Sequence, residues 1–329
     1  MHDNGSGKRP TYPQSWHAYN DAQVHEKDRV LQLLAALCET IAEPIQECGR
    51  KRIPLRDAIF AIVLKVYTTF SGRRAASDMR ACGASGHLTK VPHYNSTFRK
   101  MNDATATEIL VNLIEASAAP LAEFENRAGQ FAVDATGFST VVYQRWFGHP
   151  QGEKKTWVKL HVMVGTVTNV VTAARVTPAN VADCPMLPEL VGRTVKRFGV
   201  KQVSADKAYL SRLNLKVIES VNAVPFIPFK RGSPGMNSAS RPWQRMYCRF
   251  VIETEKFFDN YHRRSNVEAT MGAIKRKFGA AVRSRRLIAQ TNEVLAKVLL
   301  HNLTCLVHAM AKFGIEADFD KLTDASTTI

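Results

Sequence analysis

Residues 156–178 read TWVKLHVMVGTVTNVVTAARVTP and decide the class of fold. In the first half of this stretch, apolar residues alternate with residues that face the other way, which is typical of a half-buried β-strand. The apolar face holds Val158, Leu160, Val162 and Val164. Thr168-Asn169 has the composition of a tight turn, and a second run follows as far as Val176. The stretch therefore predicts two antiparallel strands joined by a hairpin.

Further short strands are predicted on both sides of this hairpin. They cover residues 131–134, 141–147, 202–206 and 224–229. Helical patterns at 185–198 and 212–221 separate the later strands. Strands that alternate with helices in this way favour an α/β domain with a mixed sheet. We assign residues 126–313 to this domain.

The chain before the α/β domain has a different composition. Residues 1–25 are rich in Gly, Asn, Pro and His and are expected to form a flexible arm, and residues 26–125 an all-helical domain. Helices are predicted over 28–46, from Pro54, over 73–79, and after a cap at Asn95 or Ser96. The last of these is short and basic, with Arg99 and Lys100. It could read DNA in a helix-turn-helix, although many helical bundles share the pattern. Residues 314–329 are predicted to be an acidic tail.

The charge balance points to a polyanionic partner. The chain has 45 Lys and Arg against 29 Asp and Glu, a net charge of +16. Such an excess favours nucleic acid because basic side chains neutralise phosphates and release counterions; a basic but otherwise ordinary enzyme is the alternative. Six cysteines without a CxxC pair predict reduced thiols. No apolar run approaches the roughly 20 residues of a membrane helix, so we expect a cytoplasmic protein with no membrane span.

Two aspartates end predicted apolar strands. Asp134 closes the strand 131–134, and Asp206 closes the strand 202–206. A buried carboxylate is costly without a partner, but two of them on neighbouring strands could share a hard cation such as Mg²⁺, which prefers carboxylate oxygen. The alternative is that each is a turn or helix-capping residue. Lys207, beside Asp206, is a candidate contact to a DNA backbone or simply a solvated lysine.

A helix predicted over residues 261–275 carries a polar stripe. Tyr261, Arg264, Glu268 and Lys275 are spaced by 3, 4 and 7 residues, which keeps them on one side of an α-helix. An apolar stripe about a quarter turn away would pack on the sheet: Val267, Met271, Ile274 and Phe278. Glu268 could then add a third carboxylate, while Arg264 orients it or holds a phosphate and Lys275 holds a phosphate. A solvated basic helix with an Arg264–Glu268 ion pair is the alternative.

Three motifs contain these residues. They are VDATGF at 133–138, SADKAYLS at 204–211 and YHRRSNVEATMGAIK at 261–275. In this order they resemble the motifs of insertion-sequence transposases with an Asp-Asp-Glu (DDE) triad, whose third motif is Tyr-x2-Arg-x3-Glu-x6-Lys. The resemblance covers about residues 125–310. It departs from the family pattern at Ala208, where a Gly is common.

This resemblance implies a ribonuclease H-like catalytic domain behind the helical domain. It implies that Asp134, Asp206 and Glu268 hold divalent ions, two Mg²⁺ or Mn²⁺, and that the protein cleaves DNA and transfers 3′-OH ends. The expected partners are double-stranded DNA, both the terminal inverted repeats of a mobile element and target DNA, and a second copy of the chain on paired ends. The DNA contacts would come from Tyr261, Arg264, Lys275, Lys207, Arg99 and Lys100.

Two other functions remain open at this point. One is a ribonuclease H-like nuclease without strand transfer, and the other is an inactive DNA-binding relic. The three acidic motifs favour the transposase, because a relic would be free to lose a carboxylate. A protein that acts on chromosomal DNA is expected to be associated with the nucleoid.

Overall fold

A central five-stranded sheet organises the described part of the chain. The computed structural model describes residues 15–49, 51–140 and 157–319. The strands are β1 (Gln130–Ser139), β2 (Trp157–Gly165), β3 (Val171–Pro178), β4 (Gln202–Ala205) and β5 (Val224–Phe226). Their order is β3-β2-β1-β4-β5. Strand β2 runs antiparallel to both of its neighbours, β1 and β3, and β4 and β5 run parallel to β1. The predicted mixed α/β class is therefore confirmed.

The hairpin predicted from residues 156–178 is present as β2 and β3. Its four alternating apolar residues are all buried, and Val158 to Val164 pair with both neighbouring strands. Asn169 adopts a positive φ of 60° in the turn. Asparagine tolerates this left-handed conformation better than most side chains do, which explains why the turn falls at Thr168-Asn169.

Helices surround the sheet and fill the N-terminal region. The elements before β1 are α1 (Trp16–Val24), α2 (Glu26–Glu39), α3 (Leu55–Tyr67), α4 (Gly72–Ala84), α5 (Tyr94–Met101), α6 (Ala104–Ala118) and α7 (Ala122–Ala128). Those after β3 are α8 (Leu187–Thr194), α9 (Arg212–Ser220), α10 (Arg241–Ile252), α11 (Thr254–Tyr261), α12 (Ser265–Phe278) and α13 (Leu287–Phe313).

Three predictions for these helices need correction. Residues 16–24 form α1, where part of a flexible arm was expected, and α1 packs on α13. The next helix ends at Glu39, seven residues before the predicted end at Gln46. The cap of α5 is His93, whose ring accepts the Asn95 N–H at 3.3 Å, rather than Asn95 or Ser96.

The predicted helix over 261–275 is also not continuous. Tyr261 ends α11, a turn of 3₁₀-helix covers His262–Arg264, and α12 begins at Ser265. The tighter winding of a 3₁₀ turn changes the direction of the side chains around it. The apolar stripe on α12 is buried as predicted, and it packs on β1 and β2.

Helix α13 is the central helix of the molecule. It packs against α1, α2, α3, α6, α12 and β3. Asn302, fully buried on α13, donates to the carbonyls of Ile114 and Val171 and accepts the Val171 N–H, so one side chain links α6, α13 and β3. Contrary to the sequence analysis, the 27 residues of α13 have the length and composition of a membrane span. However, 78% of their most apolar window is buried inside the fold, as in a core helix.

Some predictions concern residues outside the described ranges. These are the strand over 141–147, the first fourteen residues of the arm and the last ten residues of the acidic tail. In the described part of the tail, Gly314 closes α13 with a φ of 65°, the left-handed conformation that favours glycine at helix ends.

Candidate active site

The two aspartates lie side by side on neighbouring parallel strands. Val133 of β1 pairs with Ala205 of β4. Asp134 directly follows Val133, and Asp206 directly follows Ala205. Asp206 follows the end of β4, as predicted. Asp134 does not end its strand: β1 continues to Ser139, because every residue from Phe131 to Ser139 pairs with β2.

Asp134 is a partly buried carboxylate in the middle of a sheet. Its Oδ1 accepts the Ala135 N–H at 2.8 Å. Burial raises its pKa above the usual aspartate value, and the neighbouring charge of Asp206 raises it further, while Arg264 opposes both effects. The net direction means that folding disfavours the ionised form at this position. The carboxylate is therefore held here at some cost to stability.

Arg264 links the first motif to the third. One guanidinium nitrogen donates to Asp134 Oδ2 at 2.7 Å and the other terminal nitrogen donates to Glu268 Oε1 at 2.6 Å. Its Nε donates to the Tyr261 hydroxyl at 3.2 Å. The 3₁₀ turn lets Tyr261 and Glu268 approach the same guanidinium from two helices. Three of the four stripe residues therefore meet at one place, although they do not share one α-helix.

The fourth stripe residue, Lys275, reaches β1 two residues beyond Asp134. Its ammonium donates to the Thr136 hydroxyl and lies 5.4 Å from the centre of the Phe138 ring. Burial lowers the pKa of Lys275. The Thr136 and Phe138 side chains lie on the same face of β1 as Asp134, since side chains alternate along a strand. Lys275 thus places a positive charge along the face that carries the carboxylates.

The second motif forms a tight turn directly after β4. Asp206 Oδ1 accepts the Lys207 N–H at 2.6 Å and begins a 3₁₀ turn over Lys207–Tyr209. The Lys207 side chain is exposed. Tyr209 is buried, and its hydroxyl has no hydrogen-bond partner among the described residues. The turn therefore presents Asp206 and Lys207 outward and directs Tyr209 inward.

The two basic residues predicted on the N-terminal helix lie in a separate place. On α5, Lys100 donates to Asp103 Oδ2 at 2.7 Å. Arg99 and Lys100 line a surface cavity of about 830 Å³ together with Lys51, Arg52 and Arg56. Within the described ranges, no hydrogen bond or ion pair joins either residue to the three carboxylates. The structure therefore does not bring these two residues together with the stripe on α12.

The donor set fits a hard divalent ion only in part. Across the described ranges, no three Asp, Glu, His or Cys side chains are close enough to hold a metal ion together. Asp134 and Asp206 are neighbours, whereas Glu268 bonds to the other side of the Arg264 guanidinium. Carboxylate oxygens are the ligands that Mg²⁺ prefers. Among the described residues, Asp206 accepts a hydrogen bond through Oδ1 from the Lys207 N–H, so its second oxygen has acceptor capacity left for a ligand.

Sequence reasoning missed two groups around this site. Thr136 could have been found, because it is two residues from Asp134 and therefore on the same strand face. The other group is formed by Lys159, His161 and Asp183: Lys159 donates to Asp183 at 3.0 Å, and His161 Nδ1 lies 3.6 Å from the same oxygen. No sequence spacing predicts this second group, because Asp183 lies in the loop after β3.

Comparison with known proteins defines the class to which this arrangement belongs. The family model of the transposase DDE domain matches residues 126–303. This match includes both aspartates, Glu268 and more than half of the chain, so the chain belongs to the DDE transposase family. The resemblance inferred from the three motifs is therefore confirmed.

One relative of the chain is itself named as a transposase. The chain is similar to a probable transposase for insertion sequence element ISA1214 from Archaeoglobus fulgidus, with 28% identity over 181 residues. The aligned part covers 54% of this chain and 54% of that protein. The chain thus matches about half the length of this relative.

Proposed function

We propose that this protein is a DNA transposase that cleaves DNA at the ends of a mobile element and transfers the resulting 3′-OH ends to target DNA. The observation that carries the proposal is that Asp134 and Asp206 directly follow the paired residues Val133 and Ala205, with Glu268 joined to Asp134 through Arg264. Membership of the DDE transposase family supports it. The strand order, with three antiparallel and two parallel strands, supports a ribonuclease H-like fold for the catalytic domain.

The three carboxylates would hold two divalent ions, Mg²⁺ or Mn²⁺. Bound ions of this kind activate a nucleophilic oxygen and stabilise the leaving oxygen of a phosphodiester. The Arg264 guanidinium supplies a positive charge between Asp134 and Glu268. Arg264 is bonded to side chains alone, and these bonds can be exchanged when a phosphate or an ion enters.

The remaining residues of the stripe would bind and orient the DNA. Lys275 lies on the same face as the carboxylates, and its charge suits a phosphate next to the scissile one. Lys207 is exposed beside Asp206, directly after β4. There it would contact the DNA backbone. Tyr261 holds the Arg264 guanidinium through its hydroxyl. Arg99 and Lys100, in their separate cavity, would contact the terminal repeat farther from the cut.

The proposed reaction has consequences for partners and location. Joining two element ends to one target requires both ends to be held together, so we expect a homodimer on paired ends. The N-terminal helices, residues 26–125, would form the DNA-binding domain. Access to chromosomal DNA is needed, so we expect the protein in the cytoplasm on the nucleoid.

A cleavage and joining assay tests the proposal. Purified protein is incubated with duplexes taken from the DNA that flanks its coding sequence, and with a target plasmid, in Mg²⁺ or in EDTA. We expect cleavage and joining in Mg²⁺ alone, and neither in the Glu268→Gln variant. Cleavage without joining would favour a simple nuclease, and binding without cleavage in any divalent metal would favour an inactive relic.

A further inference from the structure

A second positively charged site lies away from the three carboxylates. It is a cavity of about 570 Å³ between the N-terminal helices and the segment that joins α12 to α13. The basic cleft, as this cavity is called below, is lined by Lys65, Phe70, Phe98, Arg283, Arg285 and Arg286. Its lining contains four cationic side chains, and no Asp or Glu is among the described residues that line it.

Lys65 is the residue of the cleft that most strongly indicates a ligand. It lies on α3, and only 6% of it is exposed. Among the described residues, its ammonium has no hydrogen bond and no ion pair within 4 Å. A buried charge without a partner is costly, and burial lowers the pKa of Lys65 accordingly. An anion in the cleft would supply the missing partner.

Glu293, a buried acid nearby, favours the charged form of Lys65 through its negative charge but makes no hydrogen bond to it. Glu293 of α13 is 3% exposed. It accepts the N–H groups of Arg283 and Ser284 at 3.0 Å and the Ser284 hydroxyl at 2.7 Å. These bonds use the carboxylate to fix the loop backbone. The Lys65 ammonium therefore keeps its hydrogen-bonding capacity for a molecule that enters the cleft.

The rim of the cleft is held in a fixed conformation. Gln290 donates to the carbonyls of Ser284 and Arg285, both at 3.1 Å. Arg285 and Arg286 are exposed, and within the described residues neither guanidinium has a hydrogen-bond or ion-pair partner. A fixed backbone with free guanidinium groups is preorganised for phosphate, which arginine binds in a bidentate manner.

The cleft is connected to the proposed catalytic site through β1. Ser139, at the end of β1, pairs with Ala281, two residues before Arg283. Along β1 and its partner segment, seven residue steps separate Asp134 from Arg283. At the rise of a β-strand this path is on the order of 20 Å, which is the length of about six base pairs of DNA. A duplex cut at the carboxylates could therefore reach the cleft with its backbone.

We propose that the basic cleft binds the phosphodiester backbone of duplex DNA about six base pairs from the scissile phosphate, with Lys65 at its floor and Arg285 and Arg286 at its rim. The proposal rests on the proposed function for the identity of the DNA. Exposed Phe70 and Phe98 provide apolar walls beside the backbone. Arg74 lies over the Phe70 ring at 4.7 Å and adds positive charge to the entrance.

A DNA-binding measurement under conditions that prevent cleavage tests the proposed role of the cleft. The probe is a fluorescent duplex from the DNA that flanks the coding sequence, in EDTA, titrated at several salt concentrations. For the double variant Arg285→Ala/Arg286→Ala we expect at least a tenfold loss of affinity and a salt slope lower by about two, since each lost phosphate contact lowers it by about 0.9. Lys65→Met should lower the slope by about one.

A matched control removes two positive charges elsewhere. Arg127 lies on α7 and Lys196 in the segment between α8 and β4, and neither residue lines the cleft. Arg127→Ala/Lys196→Ala has the same net charge as the double variant and should keep the wild-type slope. Because Arg285 and Arg286 are exposed, their removal should leave the melting temperature unchanged, so weaker binding cannot be attributed to unfolding.

Uncharged phosphate analogues in the DNA show which phosphate contacts the cleft. Methylphosphonates are placed one at a time on both sides of the cut. A substitution about six base pairs away should weaken binding by the wild type but not by Arg285→Ala/Arg286→Ala. Wild-type affinity and slope in this variant, or an unchanged methylphosphonate effect, would overturn the proposal.

Cleavage is measured separately from binding, so that the two proposals can fail independently. If the wild type cuts DNA and the variant binds DNA normally, only the proposed role of the cleft is refuted. A wild type that binds through the cleft but never cuts refutes the catalytic function alone, and a wild type that binds no DNA refutes both.

Discussion

Two regions of the molecule hold clusters of charged side chains, and they satisfy these charges with different hydrogen-bond partners. Around Glu293 and Lys297, the buried charges bond to the backbone: Lys297 donates to the carbonyls of Gly279 and Ala281 at 2.9 and 2.7 Å, and Glu293 accepts two loop N–H groups. Around Asp134 and Glu268, Arg264 bonds to side chains alone.

The difference separates a structural site from a functional one. Bonds to the backbone fix a loop, and replacing them would require unfolding it. Bonds among side chains can be exchanged for bonds to a ligand without moving the sheet. We therefore expect changes near Glu293 to affect stability first, and changes near Asp134 to affect activity first.

The largest expected effect is on catalysis at the carboxylates. Asp134→Asn, Asp206→Asn and Glu268→Gln should each lower the rate of DNA cleavage by a factor on the order of 10⁴, or about 5 kcal/mol of activation free energy. Stability should not fall in Asp134→Asn, because burial already disfavours the charge there. Single-turnover cleavage and thermal unfolding measure the two effects. A variant that cuts at the normal rate would remove its residue from the proposed triad.

The next effect is on stability at the structural site. Glu293→Ala leaves two N–H groups and a hydroxyl without their acceptor. It also removes the negative charge that favours ionised Lys297, whose pKa burial lowers to about 8. We expect a loss of about 4 kcal/mol in the free energy of unfolding, as when one member of a buried charged network is removed. Urea denaturation measures it. A loss below about 1 kcal/mol would mean that the comparison between the two regions is wrong.

A buried histidine on β2, opposite Ala135 of β1, tests the comparison through pH. Burial lowers the pKa of His161 to about 4, against the opposing charge of Asp183. Because the folded pKa lies below the unfolded value of 6.5, the unfolded state binds a proton first as the pH falls. The stabilisation is thus present above about pH 6.5 and is lost toward pH 4, by up to about 3 kcal/mol. His161→Gln should flatten this part of the stability curve measured by urea denaturation, and an unchanged curve would assign the loss to other groups.

The smallest effect is expected at the edge of the functional region. Lys275→Ala should weaken DNA binding about tenfold, near 1.4 kcal/mol, and lower its salt slope by about one. Its bond to Thr136 is a single side-chain contact, so stability should change little. Thr136→Val, which removes that contact while keeping the charge, is the matched control and should retain the slope. Equal slopes in Lys275→Ala and the wild type would exclude a phosphate contact.

Much of the proposed active site was accessible from the sequence. Asp134, Asp206 and Glu268 each stand in a short motif whose apolar periodicity assigns it to a strand or a helix. The spacing of Tyr261, Arg264 and Glu268 predicts a single helical stripe, whereas the structure has a 3₁₀ turn between two helices. Such a turn depends on which bonds Arg264 makes across the sheet, and local propensity does not encode them.

The sequence by itself determined the alternating hairpin, the buried stripe of α12 and the positions of the acidic motifs, since these follow from local periodicity. Only the tertiary structure decided that Asp134 and Asp206 are neighbours, that Arg264 joins Asp134 to Glu268, and that Lys65 meets Arg285 and Arg286 in one cleft. Lys65 and Arg285 are separated by 220 residues of chain. Their meeting depends on the packing of α3 on α13, and the physical reason is that long-range contacts are set by which buried surfaces fit together, which no local pattern records.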